Sequence, residues 1–169
     1  YPELREQLIA KGYSFFSKGD TEVILKAYHC WGEKCVEHFN GMFAFAVWER
    51  DSGRVFMARD RLGIKPLYYT EFSGGMRFAS SLPALLKGGG VDTHIDPVAL
   101  HHYMTFHSVV PAPYTMLTGV RKLPPATRMI IEPDGHTTQE TYWEASFDRP
   151  TDGKDLSESE WKARLLAVL

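Results

Sequence analysis

The sequence predicts an α+β fold with an antiparallel sheet at its centre. Residues 42–48 form an unbroken apolar run of strand length, and a Ser-Gly turn separates them from a second strand-like segment at 54–58. Residues 67–72 and 76–79 form a second hairpin around a Gly-Gly turn. Such short connections favour antiparallel neighbours, so we predict four consecutive strands in one meander. Because the run at 42–48 is apolar on both faces, the sheet is expected to be covered on both sides.

Composition limits the classes of function. The chain has 169 residues, 44% hydrophobic and 13% aromatic, which suits one sizeable core. The chain has 19 basic and 21 acidic residues and no stripe of basic residues. A nucleic-acid partner is therefore not expected. No apolar run reaches the ~18 residues of a membrane span and no signal-peptide pattern opens the chain, so we predict a cytoplasmic protein with no membrane partner.

The first third of the chain contains two predicted helices. Pro2 suits a first helical turn, Leu4, Leu8 and Ile9 are predicted to share one face, and Gly12 is placed to end the helix. The aromatic segment 13–16 is predicted to be a strand, and Asp20 the N-cap of a second helix that ends at Gly32.

Asp20 therefore lies at a predicted strand-to-helix junction. A carboxylate there can cap the helix or reach a ligand amine, and the local pattern favours the cap.

The remaining elements follow from turn and capping residues. The segment 34–39 is predicted to be a short helical piece, 82–86 a helix capped by Ser80 or Ser81, and Asp96-Pro97 the start of another helix. Residues 109–127 are predicted to be a long loop, followed by a final hairpin at 128–132 and 139–143. Residues 149–153 are linker-like, and 157–160 are typical of a capping box that opens a last helix.

Three local clusters contain residues that could carry chemistry. His101, His102 and His107 could hold a metal, but adjacent helical histidines point to different faces and no carboxylate completes the set, so solvated or core histidines are favoured. Arg59-Asp60 with Lys65 favours a structural salt bridge that holds a loop. Cys30 and Cys35, with four residues between them, match no zinc spacing and are interpreted as ordinary thiols.

Three longer motifs carry a family resemblance. They are DTEVIL at 20–25, NGMFAFA at 40–46 and ARDRLGIKPLYY at 58–69. In this order and spacing they resemble the class II glutamine amidotransferases of the asparagine synthetase (glutamine-hydrolysing) family, over nearly the whole chain. Within that family, residues 78–86, 91–93 and 109–113 are most similar to the N-acetylglutaminylglutamine amidotransferases.

The resemblance implies an N-terminal-nucleophile hydrolase fold, in which helices cover two antiparallel sheets in an αββα sandwich. It also implies that an N-terminal cysteine attacks the glutamine side-chain amide, with its own amino group as the base and an Asn-Gly pair at the oxyanion. The released ammonia passes to a synthetase domain of the same chain, which uses ATP and Mg²⁺ to activate a carboxylate.

Only part of the family's site is matched in this sequence. Asp20, with its neighbour Gly19, corresponds to the residue that binds the glutamine α-amino group. No cysteine lies near residue 1, and Asn40-Gly41 is not the oxyanion pair, so no catalytic residue and no metal ligand is predicted. The resemblance divides the chain into a partial glutaminase domain, 1–147, and a linker with the first helix of a synthetase domain, 148–169.

These features predict an N-terminally truncated glutaminase domain that is inactive alone and that self-associates through unpaired sheet edges. The alternative is a non-catalytic binding or interaction module that retains the amidotransferase fold. A metalloprotein that uses the histidine cluster is the third hypothesis.

Overall fold

The computed structural model describes residues 1–147 and 156–168. The helices are α1 (Pro2–Ala10), α2 (Asp20–Trp31), α3 (Leu82–Leu86), α4 (Pro97–Thr105) and α5 (Glu158–Val168), with a 3₁₀ helix at Gly32–His38. The strands are β1 (Ala44–Trp48), β2 (Val55–Arg59), β3 (Tyr68–Phe72), β4 (Gly75–Ala79), β5 (Arg121–Lys122), β6 (Thr127–Ile131) and β7 (Thr137–Thr141). All three predicted hairpins are present, although β7 begins two residues before the predicted strand at 139–143.

The strands form two antiparallel sheets, in the orders β1-β2-β6-β7 and β4-β3-β5. The prediction of one four-stranded meander was wrong, because β2 pairs with β6, with Met57 opposite Met129, and β3 belongs to the other sheet. The connection between β2 and β3 is folded onto the Asp60 carboxylate, so it carries the chain from one sheet to the other instead of closing a hairpin.

Alternate residues of β2 serve two separate cores. Phe56 and Ala58 are fully buried against the layer of α1, α2 and the 3₁₀ helix. Met57 points the other way and packs with residues from both sheets: Leu67, Tyr69, Leu123 and Met129. Helix α3 contacts β3 and β4 of the second sheet. This sequence of layers confirms the predicted αββα sandwich, and it explains why β2 is apolar on both faces.

The first helix follows the prediction except at one position. Leu4 and Leu8 are buried, whereas Ile9 is 52% exposed, because a residue next to Leu8 is rotated by about 100° around the helix axis. Gly12 has φ +93° and its N–H donates to Ile9 O at 2.9 Å, so it ends the helix as predicted.

The approach to α2 differs from the prediction. Residues 13–16 form no strand, because the N–H groups of Phe16 and Ser17 donate to the Glu22 carboxylate instead of to a neighbouring strand. The N-cap of α2 is Gly19, and Asp20 is the first helical residue, so the N-cap role predicted for Asp20 and the strand-to-helix junction were both wrong.

The other helix starts follow the local signals. The Asp96 carboxylate accepts the N–H groups of Val98 and Ala99 at 2.9 and 3.0 Å, which caps α4 as predicted. Ser81 is the N-cap of α3, but its side chain makes no capping hydrogen bond. The predicted long loop, 109–127, contains the two-residue strand β5.

The predicted capping box at the start of α5 is present. Ser157 N donates to Glu160 Oε2 at 2.8 Å, and Glu160 N donates to Ser157 Oγ at 3.4 Å. The linker predicted at 149–153 lies outside the described residues. Among residues 1–147 and 156–168, no helix has both the length and the apolar character of a membrane span.

Candidate functional site

The loop after β2 is held by two charged side chains that bond main-chain atoms. The Asp60 carboxylate, 1% exposed, accepts four backbone N–H groups at 2.9–3.3 Å, from Phe43, Leu62, Ile64 and Lys65. Arg59 donates to three carbonyls, those of Gly63, Lys65 and Leu123, at 2.5–2.7 Å. The prediction that this cluster holds a loop is confirmed, but the expected salt bridge is replaced by hydrogen bonds to the backbone.

These bonds determine the ionisation of Asp60. Burial by itself would raise the pKa of the Asp60 carboxyl, but the backbone donors of Lys65, Ile64, Phe43 and Leu62 more than offset it and lower the pKa below its usual value. The carboxylate therefore stays charged and fixes the loop.

The same contacts attach the loop to the entrance of β1. Asp60 N donates to Phe43 O at 2.9 Å, and Phe43 N donates back to the Asp60 carboxylate at 3.3 Å. The chain just before β1 is thereby fixed opposite the N-terminus of α2, where a cleft opens.

The cleft has two adjoining parts. The first, of about 280 Å³, is bounded by α1, by the first turn of α2 and by the segment 38–43. The second, of about 370 Å³, continues along β1 towards Lys65 and Pro66. Asp20 borders both parts, so the residue singled out by the resemblance lies at the centre of the cleft.

Asp20 offers an unpaired carboxylate at the N-terminus of α2. It is exposed, and it makes no hydrogen bond or ion pair with any residue in the described part of the chain. An acidic residue in the first turn of a helix interacts favourably with the helix dipole, which favours an aspartate at this position. This geometry suits an ammonium group that enters from the cleft. Gly19 is also exposed, and its backbone lies beside Asp20 at the edge of the cleft.

Asn40 and Gly41 line the first part of the cleft together with Asp20 and His38. Asn40-Gly41, which the resemblance does not match to the oxyanion pair, thus lies within the cleft. Sequence reasoning also passed over Glu22, a buried acid one half-turn from Asp20 that anchors the preceding loop. The Glu22–Lys26 spacing of four residues was the available signal.

Neither cysteine has the environment of a nucleophile. Cys35 is fully buried, and burial raises the pKa of its thiol to about 12. Cys30 is half-buried in the last turn of α2, and about 15 Å of helix separates it from Asp20 at 1.5 Å per residue. Neither residue lines the cleft. Both cysteines are free, Cys30 half-buried and Cys35 buried.

The predicted histidine cluster is spread over α4 and its end. The rings of His101 and His102 are 6.2 Å apart, and His102 stacks on Phe106 at 5.5 Å. No group of three or more His, Cys, Asp or Glu residues in the described ranges is arranged to hold a metal ion.

Comparison with known proteins identifies the family. Residues 1–143 match the model of the glutamine amidotransferase domain. The chain is 43% identical over 147 residues to asparagine synthetase [glutamine-hydrolyzing] 1 of Bacillus subtilis, which covers 87% of this chain and 23% of that protein. Asparagine synthetase [glutamine-hydrolyzing] 3 of the same organism is 34% identical over 153 residues, 90% of this chain and 25% of the relative. The chain thus spans about a quarter of the length of these relatives.

Solved structures agree on the fold. Glutamine phosphoribosylpyrophosphate amidotransferase from B. subtilis superposes with a TM-score of 0.56 at 16% identity, over 85% of this chain and 27% of that one. A structure described as the allosteric regulatory enzyme of purine biosynthesis gives 0.55 at 18% identity, over 85% and 26%. With the family match over residues 1–143, the chain belongs to the glutamine amidotransferase domain family.

Proposed function

We propose that residues 1–147 bind glutamine for an enzyme that hydrolyses it to glutamate and ammonia. The observation that carries this proposal is the unpaired Asp20 carboxylate at the rim of the cleft. The α-ammonium group of glutamine lies against this carboxylate, and the backbone of Gly19 lies beside it. The glutamine-hydrolysing relatives support the choice of substrate.

Hydrolysis needs a nucleophile to attack the side-chain amide carbon. In the proposed reaction the thiol of an N-terminal cysteine attacks the amide carbon while the cysteine's α-amino group takes up the thiol proton. The α-amino group then passes this proton to the amide nitrogen, the C–N bond breaks, and ammonia leaves a thioester that water hydrolyses to glutamate. The placement of Cys30 and Cys35 outside the cleft argues against either residue in this role. We therefore propose that the 169 residues alone do not turn glutamine over.

The ammonia is proposed to amidate a carboxylate activated by ATP and Mg²⁺ in a synthetase domain of the same protein. On this proposal, residues 148–169 are the linker and first helix of that domain. The exposed apolar side chains of α5, among them Trp161 and Leu165, support a role for this helix in packing against a partner. The resemblance at 78–86, 91–93 and 109–113 favours N-acetylglutaminylglutamine as the acceptor, and aspartate is the competing acceptor.

Glutamine binding tests the proposal directly. Calorimetric titration of the chain with L-glutamine is compared with Asp20→Asn, and with Asp51→Asn in the exposed β1–β2 turn as a matched control. A charge-assisted hydrogen bond contributes about 1.5–3 kcal/mol, so Asp20→Asn should weaken binding by about tenfold to a hundredfold. Asp51→Asn should bind like the wild type. Equal binding by all three proteins would remove Asp20 from the site.

Catalysis is tested by glutamate release from the 169-residue chain and from the full product of its gene. Release only by the full product supports the proposed mechanism, and release by the short chain shows that the nucleophile has been assigned wrongly. Activity of the full product with each acceptor then identifies the amidated carboxylate. No glutamine binding and no glutamate release from either protein would favour the non-catalytic binding module.

A further inference from the structure

The buried acid Glu22 lies one half-turn after Asp20 in α2 but does not line the cleft. Its side chain is 6% exposed, and its carboxylate accepts Phe16 N at 3.1 Å, Ser17 N at 2.8 Å and Ser17 Oγ at 2.6 Å. The Lys26 ammonium group, one turn along the helix, forms an ion pair with it. Glu22 is thus the point at which the loop 14–19 is attached to α2.

Two cations complete the attachment. Arg5 of α1 donates to Ser17 O at 2.7 Å, and Lys26 donates to Ser14 O. The Phe15 ring contacts both cations, with the Arg5 guanidinium carbon 4.3 Å and the Lys26 nitrogen 4.1 Å from its centroid. The loop is therefore ordered without belonging to a sheet, and the charges that order it come from α1 and α2.

A short relay connects this attachment to the candidate site. Gly19 N donates to Ser17 Oγ at 3.3 Å, and Ser17 Oγ donates in turn to Glu22. Gly19 is the N-cap of α2 and immediately precedes Asp20. A substitution at Glu22 therefore alters the hydrogen bonds that hold the backbone of Gly19, at the start of the helix that carries the Asp20 carboxylate.

We propose that Glu22 is a positioning residue for the α-ammonium group of glutamine, acting through Ser17 and Gly19 on the Asp20 carboxylate. This inference rests on the proposed function of the cleft. Because Glu22 accepts both a hydroxyl and two backbone N–H groups, only a carboxylate at this position satisfies all of its donors. Within residues 1–147 and 156–168, Asp20 has no hydrogen-bond or ion-pair partner, so its carboxylate is available to the ligand.

The test uses Glu22→Gln, in which an NH₂ group replaces one acceptor oxygen and faces the loop donors. L-Glutamine binding is measured by calorimetry beside that of glutaramic acid, the same molecule without the α-amino group. We expect Glu22→Gln to weaken glutamine binding by about tenfold, the effect of about 1.4 kcal/mol, and to leave glutaramic acid binding unchanged. Glu6→Gln, at an exposed position of α1, is the matched control and should bind both as the wild type does.

A double-mutant cycle separates positioning from general loosening of the fold. In the Asp20→Asn background, Glu22→Gln should cause no further loss of glutamine affinity, because the group that it positions has already been removed. Ser17→Ala removes the hydroxyl bond to the Glu22 carboxylate and the acceptor of Gly19 N, while both backbone bonds to Glu22 remain. It should weaken glutamine binding by about two- to fivefold, because, of these two bonds, only the neutral one from Gly19 acts on the start of α2.

The outcomes distinguish this inference from the proposed function. Wild-type chain that does not bind glutamine would overturn the proposed function and the inference with it. Normal glutamine binding by Glu22→Gln would overturn only the positioning role. An equal loss of glutamine and glutaramic acid affinity, or additive losses in the cycle, would show that Glu22 supports the fold without positioning Asp20.

Discussion

Replacing Asp60 with asparagine removes one acceptor oxygen from a point where four backbone N–H groups converge. The two side chains are nearly equal in size, but the amide offers a single oxygen, so two of the four donors lose their acceptor. These donors are partly buried, so each donor left without an acceptor should cost about 1–2 kcal/mol, the lower part of the usual range. The free energy of unfolding should therefore fall by about 2–4 kcal/mol. That is a large share of the about 5–15 kcal/mol that stabilises a typical domain.

Urea unfolding followed by circular dichroism measures this loss. With an m-value of about 2 kcal/mol/M, in the middle of the usual range, the urea midpoint should fall by about 1–2 M at unchanged slope. Asp51→Asn makes the same chemical change in an exposed turn and should stay within about 0.5 kcal/mol of the wild type. Equal midpoints for the two variants would refute the argument that Asp60 organises the loop.

The pH dependence of the same difference provides a second check. The pKa of Asp60 is lower in the folded protein than its ordinary value of about 3.9, so its contribution to stability is complete above about pH 4 and is lost as the pH falls through the folded value. The stability difference between wild type and Asp60→Asn should therefore be larger at pH 7 than at pH 3. A difference that does not change with pH would show that the charged form has no special role.

Three further predictions concern the loop, the thiols and a helix cap. Gly63→Ala should lower the free energy of unfolding by at least about 2 kcal/mol, whereas Gly135→Ala should lower it by about 1 kcal/mol. Both glycines have positive φ, but a Cβ at Gly63 would also clash with Pro125 at 2.8 Å, whereas one at Gly135 would meet no atom within 4 Å. Urea unfolding midpoints of the two variants measure the difference. A thiol reagent at pH 8 should modify Cys30 before Cys35, whose thiol is buried with a pKa of about 12, and peptide mass mapping shows the order. Asp96→Ala removes the cap of α4 and should lower the free energy of unfolding by about 1 kcal/mol in urea, with no such loss expected from Asp51→Ala in the exposed β1–β2 turn.

Local signals predicted the elements whose causes are local. The β1–β2 turn, the cap at Asp96 and the capping box at 157–160 each depend on residues within a few positions of one another, and each is present in the structure. The assignment of strands to sheets depends on pairs far apart in sequence, such as Met57 with Met129. Periodicity carries no information on those pairs, and the two-sheet arrangement was available only from the resemblance to a family.

The segment 13–16 shows how a local pattern can mislead. Its aromatic residues have high strand propensity, which measures how well a side chain fits a half-buried pleated surface. Here the Phe15 ring packs against the side chains of Arg5 and Lys26 instead of on a sheet. The Glu22 carboxylate accepts the backbone N–H bonds that a neighbouring strand would accept. Since these partners come from two helices, the segment can be ordered without any sheet.

The first turn of α2 separates two roles that the sequence could not tell apart. Asp20 and Glu22 are both acids at a helix N-terminus, where the dipole favours each of them. Burial by itself would raise the pKa of Glu22, but its ion pair with Lys26 and its hydrogen bonds from Ser17 and Phe16 more than offset this and lower the pKa to about 2. Because Gly19 is the N-cap, Asp20 makes no hydrogen bond within the described chain. One acid therefore stabilises the loop while the other remains free, and it is the free carboxylate that can bind a ligand amine.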